Sequence, residues 1–203
     1  MSARGALALL LITILSGCTA SQPKNTGDIC AIFFEKDDWY EEAADARDDW
    51  GSPIPVMMAI MHQESHFDAT AKPARKKLLG FIPWFRPSDA YGYSQALGST
   101  WTGYERSAGR YSADRDDFGD AIDFIGWYND QSRRRNGIAL NDTYNLYLAY
   151  HEGHGGYSRA SYRKKSWLPG VARKVQRQAN TYKGQLQGCE EELKDKGWFS
   201  DWF

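Results

Sequence analysis

Apolar positions recur at helical spacing along most of the chain. Ile29, Ile32, Phe33, Trp39, Tyr40, Ala43 and Ala44 form one such run, and Gly51 closes it. "SPIPVMMAIMHQESHF" follows, with Ser52 and Pro53 as a capping-type start. "DDFGDAIDFIGWYNDQSRR" predicts an amphipathic helix ended by Asn136–Gly137. Its basic run Arg133–Arg135 suits a solvated helix end, where cations complement the dipole. "NDTYNLYLAYHEG" predicts another helix, capped by Asn141 or Asp142 and stopped at Gly153. "SWLPGVARKVQRQANTYKGQLQGCEEEL" predicts one or two closing helices. Between these, residues 71–90 are rich in Pro and Gly and predict a long irregular loop carrying Phe81, Trp84 and Phe85. No internal repeat and no convincing strand ladder is visible. The pattern predicts a mainly α fold.

The second helix poses a chemical question. Val56, Ile60 and Glu64 are successive i, i+4 neighbours, so a carboxyl group shares a face with an apolar stripe. Partial desolvation disfavours the ionised form and raises the pKa, which suits a general acid. The bland alternative is a helix-terminal Glu that reaches solvent.

Composition narrows the classes. The chain has 203 residues, enough for one domain with a sizeable core, and a net charge of −1. No basic excess supports a nucleic-acid partner. Eight Trp and twelve Tyr would suit a sugar-binding cleft, and equally a core.

The amino-terminal twenty residues carry Arg4 and then an apolar run from Ala6 to Leu15, the shape of a secretory signal. "LSGC", Leu15–Cys18, is similar to a bacterial lipobox, which implies cleavage after residue 17 and lipidation of Cys18. Thr19, in place of Asp, resembles the outer-membrane default. Such a protein is lipid-anchored and faces the periplasm. Residues 18–28 then read as the lipidated cysteine and a tether, 29–190 as the domain, and 191–203 as an aromatic tail. Export also predicts that Cys30 and Cys189 are bridged rather than free. A link across so long a loop contributes on the order of 4–5 kcal/mol in the chain-entropy picture.

Three further stretches carry a resemblance. "HQES" after an apolar helix, then "AYGYSQALGSTW", then "LYLAYHEGHGGY" resemble, in order and spacing, three motifs of the SLT-type lytic transglycosylases, relatives of goose-type lysozyme. Glu64–Ser65 matches the catalytic Glu-Ser. Gly92-Tyr93-Ser94-Gln95 matches Gly-Leu-Met-Gln, with Thr100 at the later threonine. Ala149-Tyr150-His151-Glu152-Gly153 matches Ala-Tyr-Asn-Ala-Gly. Tyr93, Ser94, His151 and Glu152 depart from the family's residues.

The resemblance implies a lysozyme-like helical domain acting on peptidoglycan glycan strands. Glu64 would protonate the oxygen between N-acetylmuramic acid (MurNAc) and N-acetylglucosamine (GlcNAc). It would then act as base toward the C6 hydroxyl and leave a 1,6-anhydro end, without a cofactor. Ser65, Tyr93, Gln95, Tyr150 and His151 would contact or position substrate, with Tyr150 able to hydrogen-bond the carboxyl. Tyr150 and Glu152 are two apart on a helix, so Glu152 is not expected to share the site of Glu64.

Three alternatives stand beside this reading. One is a hydrolytic muramidase, and one a non-catalytic wall-binding lipoprotein on the same fold. The third is a metal site at His62 and His66, whose i, i+4 spacing suits zinc but which lack the Glu directly after the first His. The expectation is no metal.

Overall fold

The computed structural model describes residues 21–36, 38–75, 77–78, 82–83 and 86–200. The signal segment, Cys18 and the loop aromatics Phe81, Trp84 and Phe85 lie outside the described residues, as do residues 201–203 of the tail.

The first predicted helical run is two helices, α1 (Ile29–Glu35) and α2 (Trp39–Trp50). The Asp28 side chain caps α1 by accepting from the backbone N–H of Cys30 and Ala31. Gly51, at φ 71°, ends α2 in the left-handed conformation that glycine adopts without steric cost. Next comes α3 (Ile54–Ser65), buried from Val56 through Met61. Its start differs from the expected cap. Pro53 occupies the cap position, and the buried Ser52 hydroxyl instead accepts a 2.9 Å hydrogen bond from Asn129.

Among the described residues of the predicted loop, β1 (Lys77–Leu78) pairs antiparallel with β2 (Ile82–Pro83). After it come α4 (Gly98–Ala108), α5 (Phe118–Asn136), α6 (Thr143–Glu152), the short α7 (His154–Ser158), a 3-10 turn at Ser161–Lys164, and α8 (Leu168–Ser200). The cap on α6 is Asp142, whose side chain accepts from Asn145 N–H. The carboxy-terminal pattern forms one helix, and that helix continues through residues 191–200.

Helix α3 runs through the middle, against α5 on one side and α8 on the other, while α2 packs along α5 and α6 along α8. Close approach of α2, α3 and α5 depends on Gly126. A Cβ there would lie 2.8 Å from Trp50 Cδ1 and 3.2 Å from Met57 Sδ. The buried carboxylate of Asp123 accepts from Trp50 Nε1 at 2.7 Å and from the Tyr104 hydroxyl, with Arg110 Nε at 3.5 Å. Those partners offset the desolvation of its charge.

Cys30 and Cys189 form a disulfide that joins α1 to α8, with Cα atoms 6.1 Å apart. Residues 21–28, read from sequence as a tether, lie along the same two helices. Tyr182 donates to the Thr26 carbonyl, Gln185 Nε2 to the Gly27 carbonyl, and Lys24 N–H to Glu35. Pro23 is buried. A polar composition did not prevent docking, because the segment's backbone groups found partners on α1 and α8.

Candidate functional site

A cleft of about 380 Å³ opens where α3 ends, bordered by Glu64, Ser88, Gln95, Thr100, Phe124 and Tyr150 together with neighbouring residues of the same elements. The end of α3 sets the position of Glu64. Two consecutive residues, His66 (φ 53°) and Phe67 (φ 63°), adopt left-handed backbone without being glycine. Such residues cost about 1 kcal/mol or more each and persist where the surroundings hold them. Here Ser65 Oγ donates to the Met61 carbonyl and accepts from Phe67 N–H at 3.1 Å. The fully buried Phe67 ring is gripped by Trp39 and His62. Ser65 is therefore turned inward as the clasp of the helix end. It does not border the cleft.

Glu64 is half-buried, and burial pushes its carboxyl from 4.5 up to about 7. A hydrogen bond donated by Tyr147 opposes that rise. The hydroxyl partner is thus Tyr147, buried one helical turn before Tyr150. Tyr150 was expected to hold the carboxyl. Its hydroxyl instead donates to the Ser94 carbonyl at 2.7 Å, pinning α6 to the turn at 91–97, while its ring borders the cleft. Both tyrosines occupy one face of α6 by their i, i+3 spacing.

The turn itself is built from close backbone packing. Gly92, at φ 73°, lies where a Cβ would meet the Arg115 carbonyl oxygen at 1.9 Å, so no other residue fits. Gln95 borders the cleft, but both hydrogens of its amide are donated to backbone, to the carbonyls of Ala71 and Gly92 at 2.9 Å. It holds the loop to the turn. Tyr93, expected among the substrate contacts, is a core residue. It is 1 % exposed and meets Trp39 and Phe118 edge-on. Tyr93 and Ser94 are both buried, whereas Gln95, in left-handed backbone at φ 50°, faces the cleft.

His151 borders the cleft. Its Nδ1 lies 3.0 Å from Glu152 Oε1, and its ring meets the exposed Trp167 at 5.1 Å. Glu152 also borders the cleft, contrary to the helix-spacing expectation. Helix α6 ends at this residue, so both flanks of its last turn reach the open space. Its carboxylate, however, is occupied by Lys165 Nζ at 2.6 Å, by the Ser161 hydroxyl and by His151. Burial pushes the Glu152 carboxyl up, but those partners outweigh burial and hold it at about 2. The cleft thus presents one carboxyl that still carries its proton near neutral pH and one that is locked as a carboxylate.

His62 and His66 sit with ring centroids 4.8 Å apart. His62 packs on Phe67 and Tyr182, and burial, with the nearby His66 and Lys174, lowers its pKa to about 4. Among the described residues no group of three or more His, Cys, Asp and Glu side chains converges as metal ligands.

Sequence reasoning missed Tyr147 and Lys165. A signal for the first was present, since Tyr144, Tyr147 and Tyr150 recur every three residues before Glu152. For Lys165 there was none, because it reaches Glu152 across α7 and the 3-10 turn.

No curated protein and no solved structure matches the chain. A family model described as the transglycosylase SLT domain matches residues 6–189. With the mainly α fold, and a buried carboxyl at the end of the helix where the first motif predicts it, the match settles the family: the chain belongs to the transglycosylase SLT domain family.

Proposed function

We propose that this transglycosylase is a lytic one that cleaves the β-1,4 bond between MurNAc and GlcNAc in peptidoglycan. Glu64 donates its proton to the glycosidic oxygen as that bond breaks. The resulting carboxylate then takes the proton of the MurNAc C6 hydroxyl, whose oxygen bonds to C1. The product is a 1,6-anhydro end, and no water is consumed.

The observation that carries this reading is the solitary protonated carboxyl. Burial lifts Glu64 to about 7, a value matched to giving up a proton and taking one back near neutral pH. A hydrolase of the ordinary kind uses two working carboxyl groups, the second to engage water or the sugar. Glu152 is the other carboxylate on the cleft, and its oxygens are held by Lys165, Ser161 and His151. Gln95 and Tyr150 support the reading as parts of a firmly braced cleft wall.

Mass spectrometry of products from purified peptidoglycan tests the reaction. Anhydro-muropeptides, one water lighter than hydrolytic products, are expected. Reducing-end muramic acid would instead make the protein a hydrolytic muramidase, and binding without any product would make it a wall-binding protein.

The lipobox-like Leu15–Cys18 supports a lipid anchor at Cys18, with Thr19 favouring the outer membrane and a periplasmic orientation. Cys18→Ser is expected to leave uncleaved or soluble precursor. Outer-membrane fractionation identical to the parent protein contradicts the anchor.

A further inference from the structure

Next to the catalytic cleft lies a second recess of about 380 Å³, walled by Lys72, Arg86, Ser88, Asp89, Ala90, Tyr91 and Arg115. It shares Ser88 and Ala90 with the cleft, so the two spaces adjoin. Three of its seven wall residues are cations, on a chain whose net charge is −1.

What those cations touch matters more than their number. Among the described residues, none of the three forms an ion pair with a carboxylate. Arg115 donates from Nη1 to the backbone carbonyls of Asp89 and Ala96, and Arg86 donates to the carbonyl of Pro73. The Lys72 ammonium lies 4.8 Å from the centroid of the Tyr91 ring, with the Arg115 guanidinium 5.4 Å from the same centroid. The carboxylates nearby, Asp89 of the wall included, accept from neutral donors and not from these cations. Asp89 Oδ2 accepts from Gly98 N–H at the start of α4, Asp116 accepts from the Tyr91 hydroxyl, and Asp68 accepts from Thr70. Among the described residues the three cations of the recess are thus without a carboxylate partner, and their charge remains available to an anion there. A guanidinium and an ammonium around a concave wall suit a carboxylate, which can take two N–H donors from arginine and a point charge from lysine.

We propose that this recess is a subsite for the free carboxylates of the peptide stems that branch from muramic acid, an inference that rests on reading the adjoining cleft as the peptidoglycan site. The stem leaves the sugar through its lactyl group, to the side of the glycan strand. A recess that shares a wall with the sugar cleft is where such a branch would lie. Lys72 and Arg86 supply the charge from the long loop. Arg115 supplies it from a rigid position, since its own donations to backbone fix the guanidinium. Lys72 and Arg86 thereby gain a role, which is to favour glycan that still carries its stems.

The test uses the full chain in detergent solution, with binding and turnover read separately. The protein is titrated with a free stem tetrapeptide, with the same peptide methyl-esterified at its carboxylates, and with inorganic phosphate. Binding of the tetrapeptide should weaken about ten-fold on esterification, and by a similar factor in Lys72→Met/Arg86→Met, the size of one charge-assisted hydrogen bond. Circular dichroism of the double variant should match the parent, since both residues are exposed. On walls, the double variant should lose rate on stemmed strands and keep it on strands stripped by an amidase. Equal binding of the esterified peptide overturns the subsite, as does an equal rate loss on both kinds of strand. Phosphate binding as tight as the peptide's also overturns it, in favour of a general anion recess. If the wall yields no product while the tetrapeptide still binds through Lys72 and Arg86, the lyase reading fails and the subsite stands. If the wall is cleaved while binding ignores both side chains, the subsite fails and the lyase stands.

Discussion

Glu64 and Glu152 border the same cleft and have opposite electrostatics. Glu64 has burial and one tyrosine hydroxyl, and sits at about 7. Glu152 is also set back, its side chain 4 % exposed, yet Lys165, Ser161 and His151 hold it at about 2. Burial acts on both in the same direction. The number of donors decides the outcome, because each donor favours the charged form and an ammonium adds direct charge attraction. A cleft can therefore contain two carboxyl groups and still own one acid.

The largest effect expected from breaking this contrast is at Glu64. Glu64→Gln keeps the shape and cannot give a proton, so turnover should fall by about 10³-fold or more. The same variant should be more stable than the parent at pH 8. The sign follows from linkage. Because the folded pKa is raised from 4.5 to about 7, the carboxyl's contribution is fully favourable below pH 4.5 and is lost as pH rises through 7. Removing it should therefore stabilise on the order of 1 kcal/mol at pH 8 and less at pH 5, as thermal melts at the two pH values would report. A Glu64→Gln protein with near-normal turnover would end the assignment.

Glu152→Gln should affect stability more than chemistry. It leaves Lys165 without its carboxylate, and a broken buried pair is costly, though the 42 % exposure of the Lys165 side chain reduces the penalty. We expect a loss of about 1–2 kcal/mol near neutral pH, with the same anhydro product and less than about ten-fold change in turnover. The pair's contribution is present above pH 4.5, the ordinary value, and fades as pH falls toward 2. Abolished turnover with intact folding would show that Glu152 takes part in the reaction, and the comparison would have to be redrawn.

The smallest effect is expected from Tyr147→Phe. Removing its hydrogen bond lets burial act alone on Glu64, so the pKa should rise above 7. The alkaline limb of the pH–rate profile should move to higher pH by less than about one unit, with a few-fold change in turnover. An unmoved limb would mean that Tyr147 does not tune the acid. A purely structural role for Tyr147 would lower stability and leave the profile in place.

The sequence by itself determined most of the long helices and several of their ends. Apolar spacing, the Asp142 cap, and glycines at 51 and 137 act within a few residues of one another, so they are legible from the chain alone. The same holds for Glu64 on the buried face of α3, for the α1–α8 disulfide expected in an exported chain, and for the ordered motifs that place the chain in its family. Only the tertiary structure decided the rest. Tyr93 went to the core because Trp39 and Phe118, from two other helices, enclose it. Ser65 became a helix clasp because Phe67 had to turn inward. Tyr150 was drawn to the Ser94 carbonyl and left the acid to Tyr147. Glu152 is held as a carboxylate by a lysine beyond the next helix. Each of these depends on a partner brought in from elsewhere in the chain. A carboxyl's pKa is set by the donors and the water around it in space, and residue spacing along one helix carries no record of either.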